Sequence, residues 1–470
     1  MKNSLFALCL LFITSYSKAQ YLDEISKKPH PATNIKKDIS LIQNILEKEH
    51  PNLYLYITKK ELNYKFDSLR NTITTPLTST ELYVKLLSVL SYVGDGHLTV
   101  NIDYTKFTHA DITFLKTPLW MPPIYKFGYR VIGNRVFIIK NSYSDSTVVQ
   151  GTEILSINNV PVKKLIDTLS HYITSDGYNT TFKQYLLNAG LFAERFRFLY
   201  KDVRSLNLKL KYHDNLSAIK IDTFKMPGYD SIGGITPPNH EYKILTADSN
   251  IAYLKIRTFL NPDDYVGYHP AFADIQKRKI KTLILDLRGN GGGLTGWASS
   301  VFSHFIDTPT YFYRLPPEVA DQKLLYGNQK IKDWLKMVAQ KKWQYPIVTP
   351  HTNIFKGKIY VLINGGSFSA TSLLAANMRT LKNITFVGEE TGGSKNVWTA
   401  GIMKTIILPE SKLSLTYGYV PAFFGDITDI NGRGIMPDVP ITYTIEDILA
   451  NKDLEMDWVL KDIAKNNSGK

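Results

Sequence analysis

Two glycine-rich turns hold the residues best placed for chemistry. The first reads Asp286-Leu287-Arg288-Gly289-Asn290-Gly291-Gly292-Gly293 and follows the apolar run Thr282 to Leu287. Consecutive glycines leave the backbone uncovered, so their N–H groups can point at an anion. Gly291, Gly293 and Gly296 also fit the G-x-G-x-x-G spacing of a dinucleotide turn. That reading needs an acid at the end of the following strand, and none is evident; Asp286 and Arg288 also suit such a turn poorly. The second turn, Asn364-Gly365-Gly366-Ser367-Phe368-Ser369-Ala370-Thr371-Ser372, leads into the helical Leu373-Leu374-Ala375-Ala376-Asn377-Met378. A serine at a helix start lies in the positive end of the dipole, which favours a developing oxyanion. The same position suits a simple N-cap, so this turn alone leaves both roles open.

The elements that must position these turns follow from periodicity. Ile35, Ile39, Ile42 and Leu46 predict one helix, Leu62, Phe66 and Leu69 a second. Thr78 and Glu81 have capping-box spacing ahead of a third helix that carries Leu82, Leu86, Val89 and Val93. The polar turn Gly94-Asp95-Gly96-His97 comes next. Short strands then flank Gly133-Asn134, and Gly151-Thr152-Glu153-Ile154-Leu155-Ser156-Ile157-Asn158 precedes a helix around Leu165, Ile166 and Leu169. That stretch resembles the second half of a PDZ domain, a module that takes an extended peptide as an added strand. From about residue 240, strands at Ile251 to Ile256, Thr282 to Leu287 and Ile359 to Ile363 alternate with helices, the pattern of an α/β layer.

Composition limits the classes. The 470 residues are 44% hydrophobic and 21% charged, which excludes global disorder, collagen and multi-span membrane architectures. The formal charge of +14 is spread along the chain without a dense basic stripe, which argues against a nucleic-acid partner. Residues 1–19 read as a signal peptide: Lys2, an apolar run from Leu5 to Ile13, and Ser17-Lys18-Ala19 as the cleavage pattern. The apolar run is too short to span a membrane. Cys9 leaves with it, so no disulfide or cysteine metal site is expected; with no H-E-x-x-H pair either, no metal or other cofactor is implied. The expected divisions are a helical N-terminal domain (20–110), a PDZ-like module with connecting strands (111–235), an α/β catalytic core (236–450) and a C-terminal helix and tail (451–470).

Taken in order, Gly94-Asp95-Gly96-His97, the PDZ-like insert, the two turns and Val387-Gly388-Glu389-Glu390-Thr391-Gly392-Gly393 resemble the S41 serine peptidases. This is the tail-specific or C-terminal-processing family, which includes the tricorn core. The resemblance implies a ClpP/crotonase-like α/β core with Ser369 as nucleophile. It places the oxyanion hole on the Ala370 N–H and a turn glycine, Gly292 first and Gly291 next. The tail-specific branch uses a lysine whose ungapped position here is Ser394, with Lys395 one residue late. The tricorn-like branch uses a histidine matched by His97, which titrates near neutrality without a dry pocket. The family acid falls on Asn431, just before Gly434-Ile435-Met436-Pro437-Asp438; Asp429 and Asp95 are the alternatives. The function so implied is that of an exported serine endopeptidase acting on a peptide or protein. The alternatives are a peptide-binding protein with weak or lost catalysis, and a hydrolase of non-peptide esters or amides.

Overall fold

Apolar spacing sets the first helices in the computed structural model, which describes residues 28–102, 119–141, 148–201, 203–226, 238–245, 250–260, 264–314, 347–425 and 429–468. The expected leader, with Cys9, lies outside the described residues. Ile35, Ile39, Ile42 and Leu46 line one face of α1 (Ala32–Glu49) and are fully buried. α2 (Lys59–Thr72) buries Leu62, Phe66 and Leu69, and α3 (Ser79–Leu90) buries Leu82, Leu86 and Val89. Thr78 and Glu81 form the expected capping box, and Thr58 with Glu61 forms another. Beyond α3 the chain turns at Gly94 (φ 70°) and enters β1 (Thr99–Ile102).

The β-rich module begins with the hairpin of β2 (Phe127–Ile132) and β3 (Arg135–Asn141), joined through Gly133-Asn134 as the alternation predicts. β4 (Glu153–Ile157), α4 (Val162–Ser170), α5 (Thr181–Leu186) and α6 (Phe192–Leu199) follow, then the hairpin of β5 (Ser205–Tyr212) and β6 (Asn215–Asp222). These strands form one antiparallel sheet in the order β2-β3-β4-β5-β6. Its apolar core, including Val131, Val136, Ile154, Leu165 and Leu208, is separate from that of the rest of the chain.

The second half is built on a six-stranded sheet. β7 (His240–Ile244) and β8 (Ile251–Ile256) pair antiparallel. After α7 (Asp264–Lys277) come β9 (Thr282–Asp286), α8 (Thr295–Phe302), β10 (Lys358–Ile363), α9 (Ala370–Met378) and β11 (Ile384–Gly388). β12 (Met403–Ile407), β13 (Leu413–Gly418), β14 (Val439–Pro440) and α10 (Leu454–Ser468) complete the described elements used below. The sheet order is β7-β8-β9-β10-β11-β14, parallel from β8 onward. Leu283, Ile284 and Leu285 of β9 are all fully buried, the two-sided burial expected of a parallel strand with packing on both faces. The chain is therefore the mixed α/β protein that the alternation of elements implies. β1 pairs antiparallel with β13, and the helices α1–α3 share one continuous apolar cluster with the parallel sheet.

Candidate active site

β9 and β10 lie side by side and parallel, with Asp286 opposite Leu362, so their following turns leave the same edge of the sheet. Crevices in open α/β sheets form at this carboxyl edge. The turns are laced together: Phe368 N donates to Asn290 O (3.0 Å), Gly289 N to Asn364 Oδ1 (2.9 Å) and Ser367 Oγ to Leu287 O (2.9 Å). Ser372 Oγ donates to Ser367 O (2.9 Å), so both flanking serines are committed to holding the turn. Ser369 stands immediately before α9 with φ 57° and ψ −125°. A side-chain-bearing residue held there costs about 1–3 kcal/mol. Its hydroxyl caps no helix amide.

What it faces is His97. The Nε2 atom lies 3.0 Å from Ser369 Oγ. The imidazole is stacked on Phe368 (centroids 4.6 Å apart, planes 29° apart), and Trp398 meets it edge-on. Its other nitrogen, Nδ1, is buried without a hydrogen-bond partner among the described residues and sits 3.6 Å from Asp95 Oδ1, beyond hydrogen-bonding length. Asp95 is fixed by the His97 amide (2.7 Å), His50 Nε2 (2.8 Å) and the Thr399 hydroxyl. Asp176 flanks the same ring and accepts the amides of Gly96 (2.8 Å) and Ser394 (2.9 Å).

Electrostatics follow from this packing. Burial alone would lower the His97 pKa, but Asp95 and Asp176 outweigh it and hold it above the ordinary histidine value. Burial would raise Asp95, yet His50 and His97 keep it well below the usual carboxylate range. For Asp176, burial and the charge of Asp95 win, and its pKa is raised. A hydroxyl, an imidazole and a buried carboxylate in this sequence can pass a proton from Oγ to the ring and stabilise the imidazolium that results.

The glycine turn closes on the hydroxyl from the other side. At Gly292 (φ 95°) a Cβ would lie 2.7 Å from Ser369 Cβ and 2.9 Å from Ala370 N, so only glycine permits this approach. The Gly292 N–H donates to Asn290 Oδ1 (2.9 Å). The N–H groups of Ala370 and Gly291 meet no acceptor among the described residues. The structure thus brings Ser369, His97, Ala370 and Gly292 together as the sequence places them.

It keeps Lys395, Asp429 and Asn431 apart from that pair. Lys395 Nζ is bound to Asp429 Oδ2, and Asn431 Nδ2 donates to the same carboxylate (3.3 Å). None of the three has a hydrogen bond to His97 or Ser369 among the described residues. Asp176 and His50 are the residues that sequence reasoning missed. Asp176 lies 80 positions from Gly96, whose amide it holds, and His50 lies 45 from Asp95, with no local spacing to join them.

A hydroxyl on a strained strand-to-helix turn beside an imidazole is an arrangement suited to a nucleophile and its base. Residues 250–441 match the model of peptidase family S41. It is 26% identical over 197 residues to the chloroplastic C-terminal processing peptidase of Tetradesmus obliquus, covering 42% of this chain and 36% of that one. It is 29% identical over 153 residues to the carboxy-terminal processing protease CtpA of Bacillus subtilis (strain 168), 33% of this chain and 28% of the relative. The aligned part is thus about a third of these relatives' length. Across 89% of this chain and 94% of the other, the fold matches the crystal structure of mature CPAF with a TM-score of 0.61 at 14% identity.

Proposed function

We propose that the chain is an exported serine endopeptidase that hydrolyses peptide bonds through Ser369 with His97 as general base. The 3.0 Å separation of Ser369 Oγ and His97 Nε2 carries this reading. Oγ attacks the scissile carbonyl carbon as its proton passes to Nε2, and the carbonyl electron pair moves onto oxygen. The Ala370 N–H is one oxyanion donor, at the positive end of α9. The second comes from the glycine turn, either Gly291, whose N–H meets no acceptor among the described residues, or Gly292 once it gives up Asn290. Collapse expels the amine, which takes the proton from His97; water, deprotonated by the same ring, then cleaves the acyl ester. Asp95 is the residue that orients and charge-balances the imidazole, its Oδ1 closing on Nδ1 in the working complex.

The names of the relatives point to processing near protein C-termini as the substrate class. The PDZ-like strands β2–β6 would present such a segment in extended form. Export rests on the leader pattern at residues 1–19; no helix among the described residues is long and apolar enough to cross a membrane. The test is purified Ser369→Ala beside Lys395→Met, assayed on a peptide library and with a serine-reactive phosphonylating probe. Ser369→Ala keeps its fold, loses at least about 10⁴-fold in turnover and is not labelled. Lys395→Met stays within about threefold of the parent, because the proton acceptor is His97. Undiminished turnover in Ser369→Ala overturns the mechanism.

A further inference from the structure

Away from the catalytic edge, three histidines from three segments meet. His269 belongs to α7, His304 lies just beyond α8, and His351 sits in the loop that leads toward β10. Their ring centroids are 5.1 Å (His269–His304), 4.2 Å (His304–His351) and 4.6 Å (His269–His351) apart. One nitrogen from each lies within 4.8 Å of the others, and His269 Nδ1 is 2.9 Å from His304 Nε2. We propose that these three imidazoles form a site for a divalent late transition-metal ion, Zn²⁺ in the first instance.

The surroundings are those of a ligand set. His304 is fully buried, and its Nδ1 donates to Asn353 O (2.8 Å), which turns an Nε2 lone pair toward His269. A backbone carbonyl on the far ring nitrogen is the usual device that orients a metal-bound histidine. His269 has Ser300 Oγ at 3.3 Å from Nε2, a partner for the proton that Nδ1 sheds on metallation. Two backbone bonds, His351 N to Ser303 O (2.9 Å) and Phe355 N to His304 O (2.7 Å), brace the loop against the end of α8.

Tetrahedral Zn–N bonds of about 2.05 Å separate two ligand nitrogens by roughly 3.3 Å, a few tenths more than the His269–His304 spacing. His351 rearranges most, since its Nδ1 now accepts the Asn353 amide at 3.1 Å. Its partial exposure leaves it room to turn, and a water can complete the coordination. An all-imidazole set without thiolate or carboxylate suits Zn²⁺, Cu²⁺ or Ni²⁺ and disfavours Mg²⁺ and Ca²⁺. Because the three residues come from separate segments, occupancy would staple α7, α8 and the loop.

Zinc titration of the full chain, followed by calorimetry, tests this. Asp95, His97 and Asp176 also place ligand atoms within 4.8 Å of one another, so the titration is run in a His97→Ala background. The expected result is one Zn²⁺ per chain, no saturable Mg²⁺ binding, and a rise in thermal midpoint on loading. His304 is buried and its loss could prevent folding, so His269→Ala and His351→Ala, both at partly exposed positions, are the test variants. Each should lower zinc affinity about 100-fold or more while circular dichroism shows the parent fold. Cobalt substitution should give the visible absorption of a four- or five-coordinate ion in the parent and lose it in both variants. Unchanged affinity in both variants, or no saturable binding below about 100 μM, overturns the proposal.

Discussion

His97 stands between two carboxylates that its environment has made unequal. Asp95 is held ionised by His50 and its neighbours, while burial pushes Asp176 toward the protonated form. Their combined field raises the His97 pKa, and a general base works only when unprotonated. The kcat/KM profile should therefore climb with pH, with its midpoint above the ordinary histidine value of about 6.5. Asp95→Asn removes a negative charge, so the imidazole loses its proton more readily and the acid limb moves to lower pH. The plateau should fall about 10²–10⁴-fold as ring orientation and imidazolium stabilisation are lost. An acid limb that stays in place would assign the elevation to Asp176 alone. Much of this centre was legible beforehand, because Ser369 and His97 lie inside short motifs whose order along the chain is informative. Lys395, Asn431 and Asp429 could be located only by counting from neighbouring motifs. Counting along a loop does not reveal which way a side chain turns, and in the fold these three turn toward one another.

Among the elements, α5 has an unexpected part in supporting His97. Phe182 stacks flat on Phe368 (4.3 Å, 12°), and Phe368 stacks in turn on His97, so a column of rings joins the β-rich module to the imidazole. Phe182→Ala removes the outer ring without touching either reacting group. The expected outcome is a fall in kcat on the order of tenfold with the fold retained, since small misplacements of a catalytic group are costly. An unchanged kcat would mark the column as packing only. The strands beneath were readable from apolar runs, and Ile251–Ile256 has the bounds that its run suggests. Periodicity could not foresee α5, because its six residues bury no full apolar face and its position depends on aromatic partners distant in sequence.

Across the whole molecule, one buried charge links the first glycine-rich turn to the C-terminal helix. Asp286 accepts from Tyr253 Oη (2.8 Å), Lys255 Nζ (2.9 Å) and Arg288, and Arg288 reaches on to Asp453 and Glu455 at the start of α10. Burial would raise the Asp286 pKa, but Arg288 and Lys255 hold it far below the usual range. The stability this contributes is present above the unfolded-chain value of about 3.9 and drains away as pH falls further. Asp286→Asn should cost about 3–5 kcal/mol in urea unfolding at pH 7, because two cations lose their buried partner. The gap between variant and parent should hold down to about pH 4 and narrow below it. A gap independent of acid would refute the assignment.

His97 is delivered by the N-terminal helices and Ser369 by the parallel sheet, and β1 on β13 stitches the two together. Neither half of the polypeptide holds both groups alone. During synthesis the imidazole emerges 272 positions ahead of the hydroxyl, so the proposed pair cannot assemble until the last third of the chain has folded against the first.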